Sequence, residues 1–153
     1  MTQFNIRFYK KQKDFTIIIH SSERTKGRLH VFLDSYLLDK PHIHYFVVFS
    51  NSAHPDPNYS YLLAPCDDLR ASLSCKNQYA YEYFLRNPSL GDFLYRAMDD
   101  TYLNISNLER LIQDLRQIYN PEEYLVFRGY ANDEKRRCIF LGGGSGWLMS
   151  RAM

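Results

Sequence analysis

Phe15-Thr16-Ile17-Ile18-Ile19-His20 is a continuous run of apolar and β-branched residues. A strand with one face in water alternates polar and apolar side chains. A strand without that alternation is buried on both faces, which happens chiefly in sheets whose strands are joined by helical crossovers. The next segment fits such a crossover. Ser21 to Gly27 is a polar turn, and then Leu29, Phe32, Leu33, Tyr36 and Leu37 recur at the spacing of one helix face. Pro41 is expected to stop that helix. His44-Tyr45-Phe46-Val47-Val48-Phe49 repeats the buried-strand signature.

The rest of the chain continues the alternation. Residues 50–73 read as a long polar loop, and a helix is expected over 74–86. Asp92 to Ala97 reads as a third strand running into Met98-Asp99-Asp100-Thr101. Ser106-Asn107-Leu108-Glu109 matches a capping box, and Leu108, Leu111, Ile112, Leu115 and Ile118 form one apolar stripe behind it. Asn120-Pro121 closes that helix. Tyr124 to Phe127 and Arg137 to Leu141 read as short strands. Gly142 to Gly146 reads as a glycine-rich turn, with a helix expected from Trp147. The pattern predicts an α/β fold, a mostly parallel sheet with helices on both faces.

In such sheets ligands bind at the carboxyl ends of the strands. Three polar sites fall there: Ser21-Ser22, Asn51 and Asp99-Asp100. The paired aspartates suit a hard cation such as Mg2+ or Mn2+ bridging a diphosphate, although an Asp-rich turn entering a helix would look the same. The glycine-rich turn lacks the Lys of a phosphate-binding P-loop, and Trp147 stands where a dinucleotide fingerprint needs glycine. Trp147 suits either a buried position or a sugar-stacking face. His42 and His44 share a strand face but lack the further ligands a zinc site needs. No serine or cysteine nucleophile signature is present.

Composition excludes several classes. The net charge is +2 and the longest basic cluster is Lys10-Lys11-Gln12-Lys13, too short to argue for nucleic acid. No apolar run reaches the length of a membrane helix, and Met1-Thr2-Gln3-Phe4 does not begin a signal peptide. Cys66, Cys75 and Cys138 contain no CxxC pair. They fit either three free thiols or one short-loop disulfide with a thiol left over.

Three segments, in order, resemble the fringe-like and core 1 β1,3-galactosyltransferase-like glycosyltransferases. Leu73-Ser74-Cys75-Lys76 is similar to the family's LSCK segment. Met98-Asp99-Asp100-Thr101-Tyr102, with Asn104 and Asn107-Leu108, is similar to DDDTYVNVENL. Gly143-Gly144-Ser145-Gly146-Trp147-Leu148-Met149-Ser150-Arg151 is similar to GGAGYVLSR. Phe15 to Leu37, including Arg28, also resembles the family's first strand and helix, so the likeness spans nearly the whole chain. It implies a GT-A-like (Rossmann-like) fold and an inverting β1,3 transfer of a hexose or N-acetylhexosamine from a UDP-sugar to a glycan or glycoprotein. Charge and basic-cluster length already gave no reason to expect a nucleic-acid partner. Ser21, Ser22, Arg28, Asn51 and Asp99 would then lie near the nucleotide. Asp100 would hold Mn2+ (or Mg2+) with support from Asp99. Gly144, Ser145, Gly146 and Trp147 would border the donor and acceptor groove, and Cys66 and Cys75 would pair as a disulfide.

The same resemblance sets the expected organisation. One partial domain spans 1–153, with a nucleotide-sugar-binding part over 14–130 and the start of an acceptor-side part over 137–153. The whole protein would sit on the lumenal side of the Golgi membrane through a type II anchor absent from this chain. Its catalytic base would lie beyond Met153, and apolar surface that the missing C-terminal part would cover should be exposed. Two departures stand inside the chain. Met98 replaces the first Asp of the triple-Asp motif, and a thioether does not substitute for a carboxylate on a hard cation. Asn51 stands where the family often has Asp. These departures favour the alternative of a catalytically inactive remnant or binding module of the same fold.

Overall fold

The computed structural model describes residues 4–5, 14–129, 131–133, 139–141 and 146–152. In chain order the elements are β1 (Phe4–Asn5), β2 (Phe15–His20), α1 (Lys26–Tyr36), β3 (His44–Ser50), β4 (Tyr61–Ala64), α2 (Leu73–Arg86), β5 (Phe93–Met98), α3 (Ile105–Ile118), β6 (Phe127–Gly129), β7 (Ala131–Asp133), β8 (Ile139–Leu141) and β9 (Trp147–Ser150). Seven strands form one sheet in the order β1-β4-β3-β2-β5-β9-β6, and β7 and β8 form a separate antiparallel ribbon.

The centre of the sheet is parallel: β2 pairs with β3 and with β5, and β3 pairs with β4. All six residues of β2 are buried, as its unbroken apolar run requires. The expectation of a mostly parallel sheet is corrected at the flanks. β1 runs antiparallel to β4, and β9 runs antiparallel to both β5 and β6. A strand that returns without a crossover helix arrives antiparallel, and none separates β6 from β9 among the described residues.

Helices cover both faces. Leu29, Phe32 and Leu33 of α1 and Leu108, Ile112 and Leu115 of α3 pack on Ile17, Ile19, Val47 and Phe93. Ala80 and Phe84 of α2 pack on the opposite face against Ile18, Phe46, Val48 and Leu94. Each fully buried Ile or Phe here contributes about 1.5–3 kcal/mol relative to exposure.

Local boundaries differ from the expected ones for identifiable reasons. α3 starts two residues earlier than the capping-box reading allows. Its N-cap is Asn104, whose side-chain oxygen accepts the Asn107 N–H at 2.9 Å. The 50–73 loop contains β4, a four-residue strand. β6 begins at Phe127, where the reading of Tyr124 to Phe127 ends. The helix expected from Trp147 is instead β9. Leu148 faces the α1/α3 core and Met149 the α2 core, the two-residue period of a strand. Ile118, Tyr124, Leu125 and Phe127 are exposed large apolar residues from the end of α3 to β6. Among the described residues no helix is long and apolar enough to cross a membrane.

Candidate functional site

The strand order places a switch point between β2 and β5. From β2 the chain winds outward through β3 and β4, then crosses back over α2 to enter β5 on the other side of β2. The connections on either side diverge there and leave a crevice beyond the carboxyl ends of the two strands. His20 and Met98 are paired in register at this end, so the residues after them, Ser21-Ser22 and Asp99-Asp100, meet at the crevice.

The contact between these turns is direct. Ser21 Oγ donates to Asp99 Oδ2 at 2.7 Å, and the Asp99 N–H donates to the His20 carbonyl at 3.2 Å. Asp99 is only 6 % exposed, so its carboxylate is held by Ser21 rather than by bulk water. Asp100 points outward and forms an exposed pair with Arg28 at 3.7 Å. Such pairs are weak, on the order of 0–1 kcal/mol, so a ligand can readily displace Arg28 from Asp100. Ser22 and Thr25 join their hydroxyls at 2.9 Å and shape the entry to α1, whose first turn carries no acidic residue. The positive end of that helix dipole favours an anion.

A cleft of about 280 Å³ opens at this point, lined on one side by Ser22, Arg24, Thr25 and Arg28 and on the other by His20, Leu69, Leu73 and Met98. Ser21, Arg70, Lys76 and three aspartates, Asp68, Asp99 and Asp100, complete it. A second groove of about 350 Å³ lies on the far side of Arg28 and Asp100, flanked by Tyr36 and Tyr102. The rings of these tyrosines meet edge to face at 6.0 Å.

Lys76 is the least expected member. It is 4 % exposed, on the α2 face that also buries Ala80 and Phe84. A buried ammonium needs partners, and this one donates to Asp68 Oδ1 at 2.7 Å and to the Ser21 carbonyl at 3.3 Å. Asp68 also accepts the Glu23 N–H at 3.0 Å, tying the β2–α1 turn to α2. Burial by itself would raise the Asp68 carboxyl. The hydrogen bonds from Lys76 and Glu23, together with the Lys76 charge, outweigh it and hold the group below its ordinary value. Cys66 and Cys75 form a disulfide next to this pair, with Cα atoms 6.1 Å apart. That resolves the cysteine alternatives for these two residues; Cys138 lies outside the described residues.

Other residues singled out by sequence fall elsewhere. Asn51 is exposed in the turn after β3 and does not line the cleft. Gly144 and Ser145 lie outside the described residues. Gly146 is buried at φ 79°, where a Cβ would lie 2.7 Å from the Arg96 carbonyl oxygen and collide with the Tyr95 ring. It serves the close approach of β9 to β5. Trp147 is half-buried in an aromatic cluster, edge to face with Phe127 at 4.9 Å and 5.4 Å from Tyr81, with the Arg96 guanidinium 5.7 Å from its ring centre. His42 is exposed and pairs with Glu109, whereas His44 is buried and bonds Thr16 through Nδ1. The two histidines therefore do not share a site.

The donor set fits a diphosphate-bridging cation in kind. Ions of the Mg2+ type are commonly held by one or two carboxylates plus phosphate oxygens and water, and the Asp100 carboxylate is exposed at the cleft. Among the described residues no three His, Cys, Asp or Glu side chains group to hold a metal by themselves. Sequence reasoning missed His20, Arg24, Asp68, Arg70 and Lys76. Only Lys76 carried a readable signal, a lysine on the same helical stripe as Ala80 and Phe84.

No family model and no curated protein matches this chain.

Proposed function

We propose that this chain forms the donor-binding part of a fringe-like, GT-A-type glycosyltransferase, taking a UDP-sugar at the β2/β5 crevice for transfer to a glycan or glycoprotein hydroxyl. The observation that carries the reading is the meeting of Ser21, Asp99, Asp100 and Arg28 at the switch point. A diphosphate seated there would lie between the guanidiniums of Arg24 and Arg28 and the positive end of α1. Asp100 would hold a divalent cation, and Asp99, fixed by Ser21, would keep the turn in place. The cation, when bound, neutralises charge that builds on the departing diphosphate. The Cys66–Cys75 disulfide supports an oxidising lumen such as that of the Golgi as the place of action.

Titration of the folded chain with UDP, with and without Mn2+, tests the reading. Binding should tighten with Mn2+, and Asp100→Asn should abolish that dependence while leaving thermal stability near its original value. Metal-indifferent binding, or no binding by a folded sample, overturns the donor site.

Met98 favours a second reading, a module that binds the donor without transferring it. The Arg96 guanidinium donates to Met98 Sδ at 3.0 Å, so a thioether occupies the place of the family's first carboxylate. Sugar transfer or donor hydrolysis by this chain would exclude that reading.

A further inference from the structure

His20 is 1 % exposed, yet among the described residues neither of its ring nitrogens has a hydrogen-bond partner. Folded proteins seldom bury an imidazole without using it. The ring stands on the α2 face of the sheet, beside Met98 in register, and reaches the cleft wall. That wall differs in chemistry from the one opposite. On the α1 side the cleft presents Arg24, Arg28 and the hydroxyls of Ser22 and Thr25. On the α2 side it presents Leu69, Leu73 and Met98 along with the imidazole, next to the charged side chains of Asp68, Arg70 and Lys76. The α1 side suits the charged diphosphate of a nucleotide, and the three apolar side chains beside His20 suit its flat, weakly polar base.

We propose that His20 reads the heteroaromatic base of the nucleotide, from a slot it shares with Leu69, Leu73 and Met98. This rests on the nucleotide reading of the cleft and orients the ligand within it. The imidazole is suited to the task because it lines the cleft with both ring nitrogens unmatched among the described residues. A neutral imidazole offers one N–H and one lone pair, a match for a pyrimidine edge that carries both an N–H and carbonyl oxygens. In this orientation Met98 gives the base an apolar surface, which accounts for a thioether in a cleft otherwise rich in charge.

The test is calorimetry on the full chain with Mn2+, using UDP and inorganic pyrophosphate as separate probes. The wild type should bind UDP more tightly than pyrophosphate. His20→Leu should weaken UDP about tenfold, the worth of one hydrogen bond, and leave pyrophosphate unchanged. His20→Gln, which keeps a donor and an acceptor, should retain most of the UDP affinity. Ring-nitrogen resonances of His20 in the wild type should move on adding UDP and stay in place with pyrophosphate, a readout that does not depend on any variant folding. Equal UDP affinity for His20→Leu and wild type, equal losses for both probes, or unmoved resonances would overturn the role of His20 and leave the nucleotide reading standing. Wild type that binds pyrophosphate as tightly as UDP overturns base recognition. Wild type that binds pyrophosphate alone, or neither probe, overturns the nucleotide reading as well.

Discussion

The two ends of the parallel strands differ in how fully their polar groups are matched. At the amino end they are tied off. Thr16 Oγ1 donates to the Leu90 carbonyl at 2.5 Å and meets His44 Nδ1 at 3.0 Å. Arg116 bridges Asp14 and Asp92, the residues before β2 and β5. Arg151 donates to the carbonyls of Phe84, Leu85, Asn87 and Gly91 and lies 4.0 Å over the Phe84 ring. At the carboxyl end His20 is buried with both nitrogens unmatched among the described residues, and Asp100 faces outward. One end holds the sheet together. The other leaves the His20 nitrogens unmatched among the described residues and Asp100 turned outward.

That contrast can be broken by mutation, and the largest effect belongs to the amino end. Arg151→Ala should cost about 3–4 kcal/mol in denaturant unfolding, because it strands several carbonyls and removes a cation–π contact. UDP binding by the fraction that stays folded should not change. A loss below about 1 kcal/mol would mean that the amino end is less firmly tied than its geometry indicates.

The disulfide comes next. Cys75→Ser should cost about 2–3 kcal/mol, the chain-entropy value for a loop of roughly ten residues. It should also weaken UDP binding, because Asp68 and Lys76 sit beside the bridge and hold the Ser21 turn. Unchanged binding would show that the carboxyl end keeps its shape without this tie.

The smallest effect is per unit of pH. His20 stays neutral in the fold down to about 3, against an ordinary value of 6.5. Below about pH 6 the unfolded chain therefore takes up a proton that the native chain does not. Stability falls as pH drops through this window, by about 1.4 kcal/mol per unit, until the native imidazole itself titrates. His20→Gln should remove this component and leave the shallower acid loss from Asp68. Identical pH profiles for variant and wild type would place the His20 ring in water instead of in the cleft wall.

Most of the strand and helix order was legible because burial writes a period into the chain. The unbroken run at β2, the stripe of α1 and the stripe of α3 each announced their element. Asp99-Asp100 was legible as a candidate site because a polar turn after a buried strand falls where α/β folds bind ligands. β4 was hidden, since four residues between polar loops give too short a pattern. β9 reads as a helix in sequence because Trp147 and Leu148-Met149 do not reveal whether they face one core or two. The fringe-like resemblance grouped residues 143–151 into one motif near the acceptor. The described part of that motif is divided between packing and anchoring, with Gly146 against Tyr95 and Arg151 under α2.

The sequence by itself determined that a parallel centre must exist here, because six consecutive buried residues need cover on both faces. It also determined that serines and aspartates would lie at the strand ends, because position after a buried strand is a local property. Only the tertiary structure decided which of those ends meet. Strand order is set by how helices from distant segments cover the two faces, and no local pattern encodes it. The order β3-β2-β5 brought Ser21 to Asp99, left Asn51 outside the cleft, and buried His20 and Lys76 at its wall.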